Sequence, residues 1–516
     1  MVNRVYLPTE PTMTNIYQNP VVRGLAADPS VVRVGDDYFL ANSSMDLWPG
    51  IPIRHSTDLV HWNVIGAAVT RPGQYRRDGR EGAFMLYAPT LRHHAGRFYL
   101  ACTNAADEQG NFIVSTTDPT GDWSDAAWVD TEAFDPSLCF ADDTCYYTRR
   151  TLRPRPDGRL GPIVQAEIDP DTGILLGPMR ELSPDYGGFC TDDIEGPHLY
   201  KIDGWYYLFS AEGSTWKGHL QSCARSRSPW GPFEPCPHNP VLTHRHRVGH
   251  PIQTLGHADL IQARDGSWWA VTLGTRHLAR GGFVDHHNLG RETFLAPVEW
   301  VDGWPVIGRA GTLELKMTAG GPLPAGAGTV TAPKGLLNAG WYLHGPPAPG
   351  TTGDPVAGDF RVAFGQDLGQ PGRDGELLLS QPEDAATFTA ELGPPAGAGA
   401  AAGIGVRADA LHQFSLLVSL DGAGRSLDLR RQADDLITHH TCTLPGRGQT
   451  RLRIEATAES YLFYADGQLV GQGSARLLSA ETAEAFVGVA FALLAVGPDT
   501  LPPATFRDVR LDAARK

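Results

Sequence analysis

The sequence predicts an all-β chain: a five-bladed β-propeller followed by a C-terminal β-sandwich of jelly-roll or concanavalin type. Three observations predict it: an internal repeat, a break in composition after the repeat, and strand-like runs separated by turns beyond the break. The repeat is clearest in Ile194-Glu195-Gly196-Pro197-His198-Leu199-Tyr200-Lys201-Ile202-Asp203-Gly204-Trp205-Tyr206-Tyr207-Leu208. A small or polar residue and a proline precede an apolar run, a Gly or Asp turn follows, and two aromatics open a second run, which reads as a β-hairpin. Copies begin at Asp28, Ala88, Asp135, Gly196 and His257, at spacings of 60, 47, 61 and 61 residues. A unit of that length holds about four short strands, and a repeated four-stranded unit is a propeller blade.

Equivalent residues of successive blades surround one axis, so the hairpin heads Asp28, Ala88, Asp135, Glu195-Gly196 and His257 should meet at one mouth of the channel. A lone Asp-Pro-Ser is an ordinary turn initiator. Three acids at matching repeat positions are costly unless they share protons, bind a ligand or pair with a cation, which makes this mouth the candidate site. Pro29 and Pro136 are expected to hold Asp28 and Asp135 in extended backbone at strand entrances.

In chain order, Asn19-Pro20-Val21-Val22-Arg23-Gly24 is an extended lead-in suited to closing the ring. Trp48, in a Trp-Pro-Gly turn, is read either as an aromatic wall of the substrate site or as packing between blades; Phe84 and Tyr87 invite the same two readings. Residues 107–128 and 153–186 carry turn composition. His244, His246 and His250 lack the partners of a tetrahedral zinc set and are expected in a loop near the substrate mouth. After the fifth hairpin, His286-His287-Asn288-Leu289-Gly290-Arg291-Glu292 places His287 and Arg291 as candidate substrate contacts, with an Arg291–Glu292 ion pair as the plainer alternative.

The stretch 317–334, rich in Gly, Ala and Pro, is a linker signature. It divides a propeller over 1–316 from a sandwich over 335–516. In the latter, runs such as FRVAFGQDL, FSLLVSLDG, TRLRIEATA and AFVGVAFALLAV alternate with Gly and Asp turns, as sandwich strands do. The low-complexity segment GPPAGAGAAAGIG is expected to be a loop.

A chain of 516 residues with 41% hydrophobic and 20% charged residues is ordinary globular material. A net charge of −15 opposes a nucleic-acid partner, which needs a basic face. No segment has the apolar length of a signal peptide or a membrane span, so a cytoplasmic protein without a membrane partner is expected. The 7 cysteines form no CxxC pair and are expected to be reduced thiols, several of them buried.

The motifs NPVVRG, ADPSVVRVGDDYFL, PGIPIRHSTDLVHW, FDPSL, EGPHLYKIDGWYYLFSAEG, GHADLIQARDGSWW and HNLGRETFLAPVEW resemble glycoside hydrolase family 43, especially its β-xylosidase branch with a C-terminal β-sandwich. The resemblance implies that Asp28 is the general base, Glu195 the general acid and Asp135 the residue that orients the acid and raises its pKa. It implies that Arg291 reaches sugar hydroxyls, and that His257 faces a calcium ion or water cluster in the channel, a metal contact through waters. Leu25 and Leu47 depart from the family pattern, as does Tyr87-Ala88-Pro89, and are expected to alter the wall of the sugar pocket.

The expected activity is therefore an inverting exo-glycosidase removing β-1,4-xylosyl units from the non-reducing ends of short xylo-oligosaccharides. An α-L-arabinofuranosidase of the same family is the nearest alternative, and a non-catalytic carbohydrate-binding propeller the alternative from another class. Ala27-Asp28-Pro29 and Phe134-Asp135-Pro136 do not match the Asn-Asp-Pro and Arg-Asp-Pro motifs of retaining fructofuranosidase-type propellers, and no GxSxG motif supports a serine hydrolase. The expected partner is a small oligosaccharide; homo-oligomer formation stays open.

Overall fold

The computed structural model describes residues 16–513, apart from 78–83, 153–160, 184–187, 281–282, 285, 320–322, 324–329, 331–334, 346–349, 366–375, 398 and 423. Most of the expected linker at 317–334 lies outside the described residues.

Five antiparallel sheets follow one another along the first part of the chain, in a five-blade propeller arrangement. Blade 1 holds Ser30–Val34, Asp37–Ala41, Gly50–Ser56 and Asn63–Val69; blade 2 holds Leu86–His94, Arg97–Asn104, Gly110–Thr116 and Ala127–Asp130. Blade 3 is built on Ser137–Ala141, Thr144–Arg150 and Ile163–Asp169, and blade 4 on Glu195–Ile202, Trp205–Glu212 and Leu220–Ser226, each completed by two short outer strands. Blade 5 holds Ile252–Gln262, Trp268–Arg276, Arg291–Val301 and Trp304–Ile307. The inner hairpins turn through residues of positive φ, such as Ala95-Gly96, Asp142-Asp143 and Asp203-Gly204, whose twist matches that of the flanking strands. The lead-in closes the ring: Ile16–Gln18 pairs with Lys316–Thr318, and the Asn19 side chain both donates to and accepts from the backbone of Leu295 in blade 5.

One side chain joins all five blades at the axis. The guanidinium of Arg92, from blade 2, donates to Ser30 Oγ of blade 1 (3.3 Å), Leu138 O of blade 3 (3.1 Å), His198 Nδ1 of blade 4 (3.0 Å) and Asp259 Oδ2 of blade 5 (2.9 Å). Asp259 is fully buried and also accepts from Ser30 Oγ, Val31 N–H and Tyr200 Oη–H. Arg92 and these hydrogen bonds outweigh burial and hold its carboxyl far below the usual range. A buried pair saturated with hydrogen bonds in this way avoids the penalty of an uncompensated charge.

From Trp341 on, the chain supplies seven strands of an eight-stranded antiparallel sheet and all of a seven-stranded one. They share an apolar core that includes Trp341, Phe360, Phe388, Phe414, Phe463 and Phe491. The Gly/Ala-rich segment 393–405 opens as the expected loop, but its last five residues enter the strand Ala401–Arg407 in the interior of the larger sheet. Its glycines are required by close approach: a Cβ on Gly403 would lie 1.9 Å from Leu416 O.

The larger sheet ends on a strand from the propeller. Leu47–Trp48, from blade 1's connecting loop, pairs with Trp341–His344. Around this seam Leu25, Leu47, Tyr342, Leu378, Ala490, Ala492 and Leu494 form an apolar cluster. Arg276 pairs with the buried Glu292 of its own blade and with Glu383 of the C-terminal unit, each by a direct ion pair. Among the described residues no helix is long and apolar enough to cross a membrane. All seven cysteines are free, five of them buried.

Candidate active site

The five repeat heads share a backbone device. Asp28, Ala88, Asp135, Gly196 and His257 all have positive φ, between 48° and 59°. In blades 2, 4 and 5 the inner-strand register slips at this point, a β-bulge that re-aims the side chains at the strand entrance. Asp28 and Asp135 are left-handed rather than extended, and the inner strands of their blades start two residues later, at Ser30 and Ser137, and pair without a slip. Gly196 carries the bulge without a side chain, and its missing Cβ leaves room for the His257 ring, which would lie 3.1 Å away.

A cavity of about 600 Å³ opens at these heads and is lined by Asp28, Tyr87, Asp135, Glu195, His257 and Arg291, with Arg150 and Phe486 among the other walls. Asp28 Oδ2 accepts from Ser43 Oγ at 2.5 Å, and Asp28 Oδ1 lies 3.3 Å from Arg291 NH1 and 3.6 Å from His257 Nδ1. Burial alone would raise the Asp28 carboxyl; Arg291, His257 and the Ser43 hydrogen bond together outweigh it and hold the group below the ordinary aspartate range. Asp28 is thus an ionised acceptor.

Asp135 and Glu195 are the opposite case. Burial first, then the Asp28 charge, pushes Asp135 up; burial first, then Asp135, pushes Glu195 up. Asp135 Oδ2 accepts from Gly196 N–H at 2.8 Å, so it grips the backbone beside Glu195. Arg150 NH1 donates to Glu195 Oε2 at 2.7 Å and restrains the rise, while its NH2 donates to Asp193. The loop before Glu195 is held by fully buried Glu212, which accepts from the N–H groups of Phe189 and Cys190 at 2.9 and 3.0 Å. Two carboxyl environments driven apart in one cavity are the arrangement needed for an acid and a base at one pH.

Tyr87 and Arg291 stand on the cavity wall, and Arg291 also donates to Thr215 Oγ1 and to Phe486 O. Arg291 does not pair with its neighbour, since Glu292 is taken by Arg276. Trp48 lies outside the lining: it is 5% exposed and packs edge-on against Tyr75 and Phe84, because its strand is committed to the seam between the two units. His287 also stands away from the cavity, hydrogen bonded to Glu481. Leu25 and Leu47 sit in the apolar seam instead of the sugar wall. His244 and His250 do not border the cavity; they fasten their loop to Leu313 N–H and to Glu314.

His257 Nδ1 lies 3.6 Å from Asp28 Oδ1, and its ring is 5.7 Å from that of His198. Sequence reasoning missed Ser43, Arg150 and Phe486. Ser43 and Arg150 lie at the ends of second strands, where the repeat carries no fixed residue type, and Phe486 comes from the far end of the chain.

Comparison with known proteins agrees with this geometry. Residues 17–305 match the model of glycosyl hydrolases family 43. A non-reducing end α-L-arabinofuranosidase of Bacteroides ovatus is 36% identical over 499 residues, 93% of this chain and 91% of that protein. A xylosidase/arabinosidase of Butyrivibrio fibrisolvens is 42% identical over 303 residues, 57% of this chain and 56% of that protein. Among solved structures, a xylan β-1,4-xylosidase from Bacillus halodurans superposes with a TM-score of 0.85 at 27% identity, covering 96% of this chain and 100% of that one. A propeller whose blade heads carry these three acids, and whose sequence matches that family over both its catalytic part and nearly its whole length, is a glycoside hydrolase, and the chain belongs to glycosyl hydrolases family 43.

Proposed function

We propose that the chain is an inverting, exo-acting glycosidase that removes single pentosyl residues from non-reducing ends, with α-L-arabinofuranosides as preferred substrates. The observation that carries the mechanism is the contrast of surroundings across one cavity: Asp28 lies against Ser43, Arg291 and His257, which favour its ionised form, whereas Glu195 lies beside buried Asp135, which favours its protonated form. In the proposed reaction Asp28 takes a proton from a water, which attacks the anomeric carbon. Glu195 gives its proton to the departing glycosidic oxygen. Asp135 keeps Glu195 protonated and fixes its backbone; Arg291 and Tyr87 face the sugar.

The preference for arabinofuranosides rests on the Bacteroides ovatus relative, which aligns across both units of the chain and is named for that activity. A β-1,4-xylosidase is the second reading, favoured by the Butyrivibrio relative named for both sugars. The two-sheet C-terminal unit is read as a β-sandwich of jelly-roll or concanavalin type, with the domain boundary within 317–334. Phe486 from this unit walls the cavity and supports exo action. Rates on aryl α-L-arabinofuranoside and β-D-xyloside test the sugar. A higher kcat/KM on the xyloside would reverse the preference. Proton NMR of the first-formed anomer tests inversion: β-L-arabinose from the former or α-D-xylose from the latter is expected, and a retained anomer would refute the base assignment.

A further inference from the structure

Away from the cavity, His277 and His287 of the propeller face Glu481 of the C-terminal unit, and one coordinating atom from each lies within 4.8 Å of the other two. His287 Nδ1 is 2.8 Å and His277 Nδ1 is 3.7 Å from Glu481 Oε1. The two histidine side chains are 4% exposed and Glu481 is 24% exposed.

The His287–Glu481 contact is a complete hydrogen bond, reinforced by His287 N–H donating to Glu481 Oε2 at 3.1 Å. His277 is different. Its Nε2 is 3.0 Å from Thr275 Oγ1, while Nδ1 has no hydrogen-bond partner among the described residues. With Nε2–H donating to Thr275, a buried Nδ1 lone pair points toward a carboxylate; in the other tautomer an Nδ1–H stops short of it. Neither arrangement satisfies the group, and a buried unsatisfied ring nitrogen is costly. A cation between the three atoms would remove that cost.

We propose that His277 Nδ1, His287 Nδ1 and Glu481 bind one Zn²⁺ that joins the propeller to the C-terminal unit, with water in the fourth position. Two imidazoles and a carboxylate are a zinc donor set, and tetrahedral bonds of about 2.0–2.1 Å put ligand atoms roughly 3.3 Å apart, between the two separations seen here. The Nε2–H of His277 on Thr275 Oγ1 is the outer hydrogen bond that orients a ligating histidine. On binding, the His287 proton moves from Nδ1 to Nε2, and Glu481 stays ionised. The segment so fixed is the one that carries Phe486 to the cavity; it is already docked by Ala480 N–H on His287 O and Val489 N–H on Asn288 O.

The test uses the full-length protein, stripped with chelator and titrated with ZnCl₂, reading bound zinc, affinity and melting temperature. Wild type should bind one zinc per chain and melt higher with it, whereas CaCl₂ should do neither. His277→Ala and Glu481→Gln should lose this zinc. Thr275→Val, a milder change that leaves the ligands in place, should weaken binding by about 10–100-fold. No zinc bound by wild type would overturn the proposal. So would zinc bound with unchanged affinity by all three variants, since it would then sit elsewhere.

Discussion

At the scale of single residues, the three acids are separated by their neighbours more than by their chemistry. Asp28 meets Arg291, Ser43 and His257; Glu195 is buried beside a second carboxyl, Asp135. Glu195→Gln should therefore lower kcat by about 10²–10⁴-fold on poor leaving groups and much less on activated aryl glycosides. An equal loss on both would remove Glu195 from the acid role. The pH profile of kcat/KM should be bell-shaped. In the proposed reaction Asp28 acts ionised, so its limb lies below the ordinary aspartate range, and Glu195 acts protonated, so activity falls as pH rises through a value lifted to about 8. Arg150 pulls the Glu195 pKa down, so Arg150→Met should move the alkaline limb to higher pH. A downward or absent shift would show that Arg150 does not act on the acid's charge. The acids were legible in the sequence because the repeat aligned them, and His257 with them. Arg150 and Ser43 were not: Arg150 reaches Glu195 from the preceding blade, Ser43 reaches Asp28 from just past the second strand of blade 1, and neither hydrogen bond leaves a periodic trace.

At the scale of elements, the sequence revealed the hairpins but not how their entrances bend. Proline after Asp28 and Asp135 argued for extended backbone, yet all five heads are left-handed, with a register slip beside them in blades 2, 4 and 5. Composition was right for the first part of GPPAGAGAAAGIG, which is loop, and misled only over its last five residues, which are strand. Within the strand Ala401–Arg407, glycine is what allows Phe414-Ser415-Leu416 and Leu494 to close in. Gly403→Ala should cost at least the ~1–3 kcal/mol typical of overpacking, read as a lowered melting temperature with the active-site pKa values unchanged. An unaffected melting temperature would mean that the strands can part freely. At the channel centre, Arg92→Met should be more damaging, because it leaves buried Asp259 without its cation; breaking such a pair costs about 3–5 kcal/mol.

At the scale of the whole molecule, the two units are interleaved, and this was the least legible feature. Leu47 was expected at the sugar wall, and Trp48 either there or packed between blades; both lie on an edge strand paired with the C-terminal unit, Leu47 in the apolar seam and Trp48 packed on Tyr75 and Phe84. A contact between residues some three hundred positions apart cannot be seen in local patterning. The C-terminal unit reaches back equally. It sends Phe486 to the cavity, where its carbonyl oxygen accepts from Arg291 Nε–H at 3.2 Å and its ring lies 5.4 Å from Trp216. A fragment ending near residue 330 should therefore fail twice. It would expose Leu25 and Leu47 and strip Arg276 of Glu383, promoting aggregation. Any fraction that stayed soluble would also lack one wall of the cavity and the contact that steadies the arginine beside Asp28. Expression of the fragment beside full-length protein, with soluble yield and kcat/KM measured on the same aryl glycosides, separates the two effects. Phe486→Ala in the full chain isolates the second and should raise KM more than it lowers kcat. A soluble fragment of full activity would show that the propeller alone builds the site.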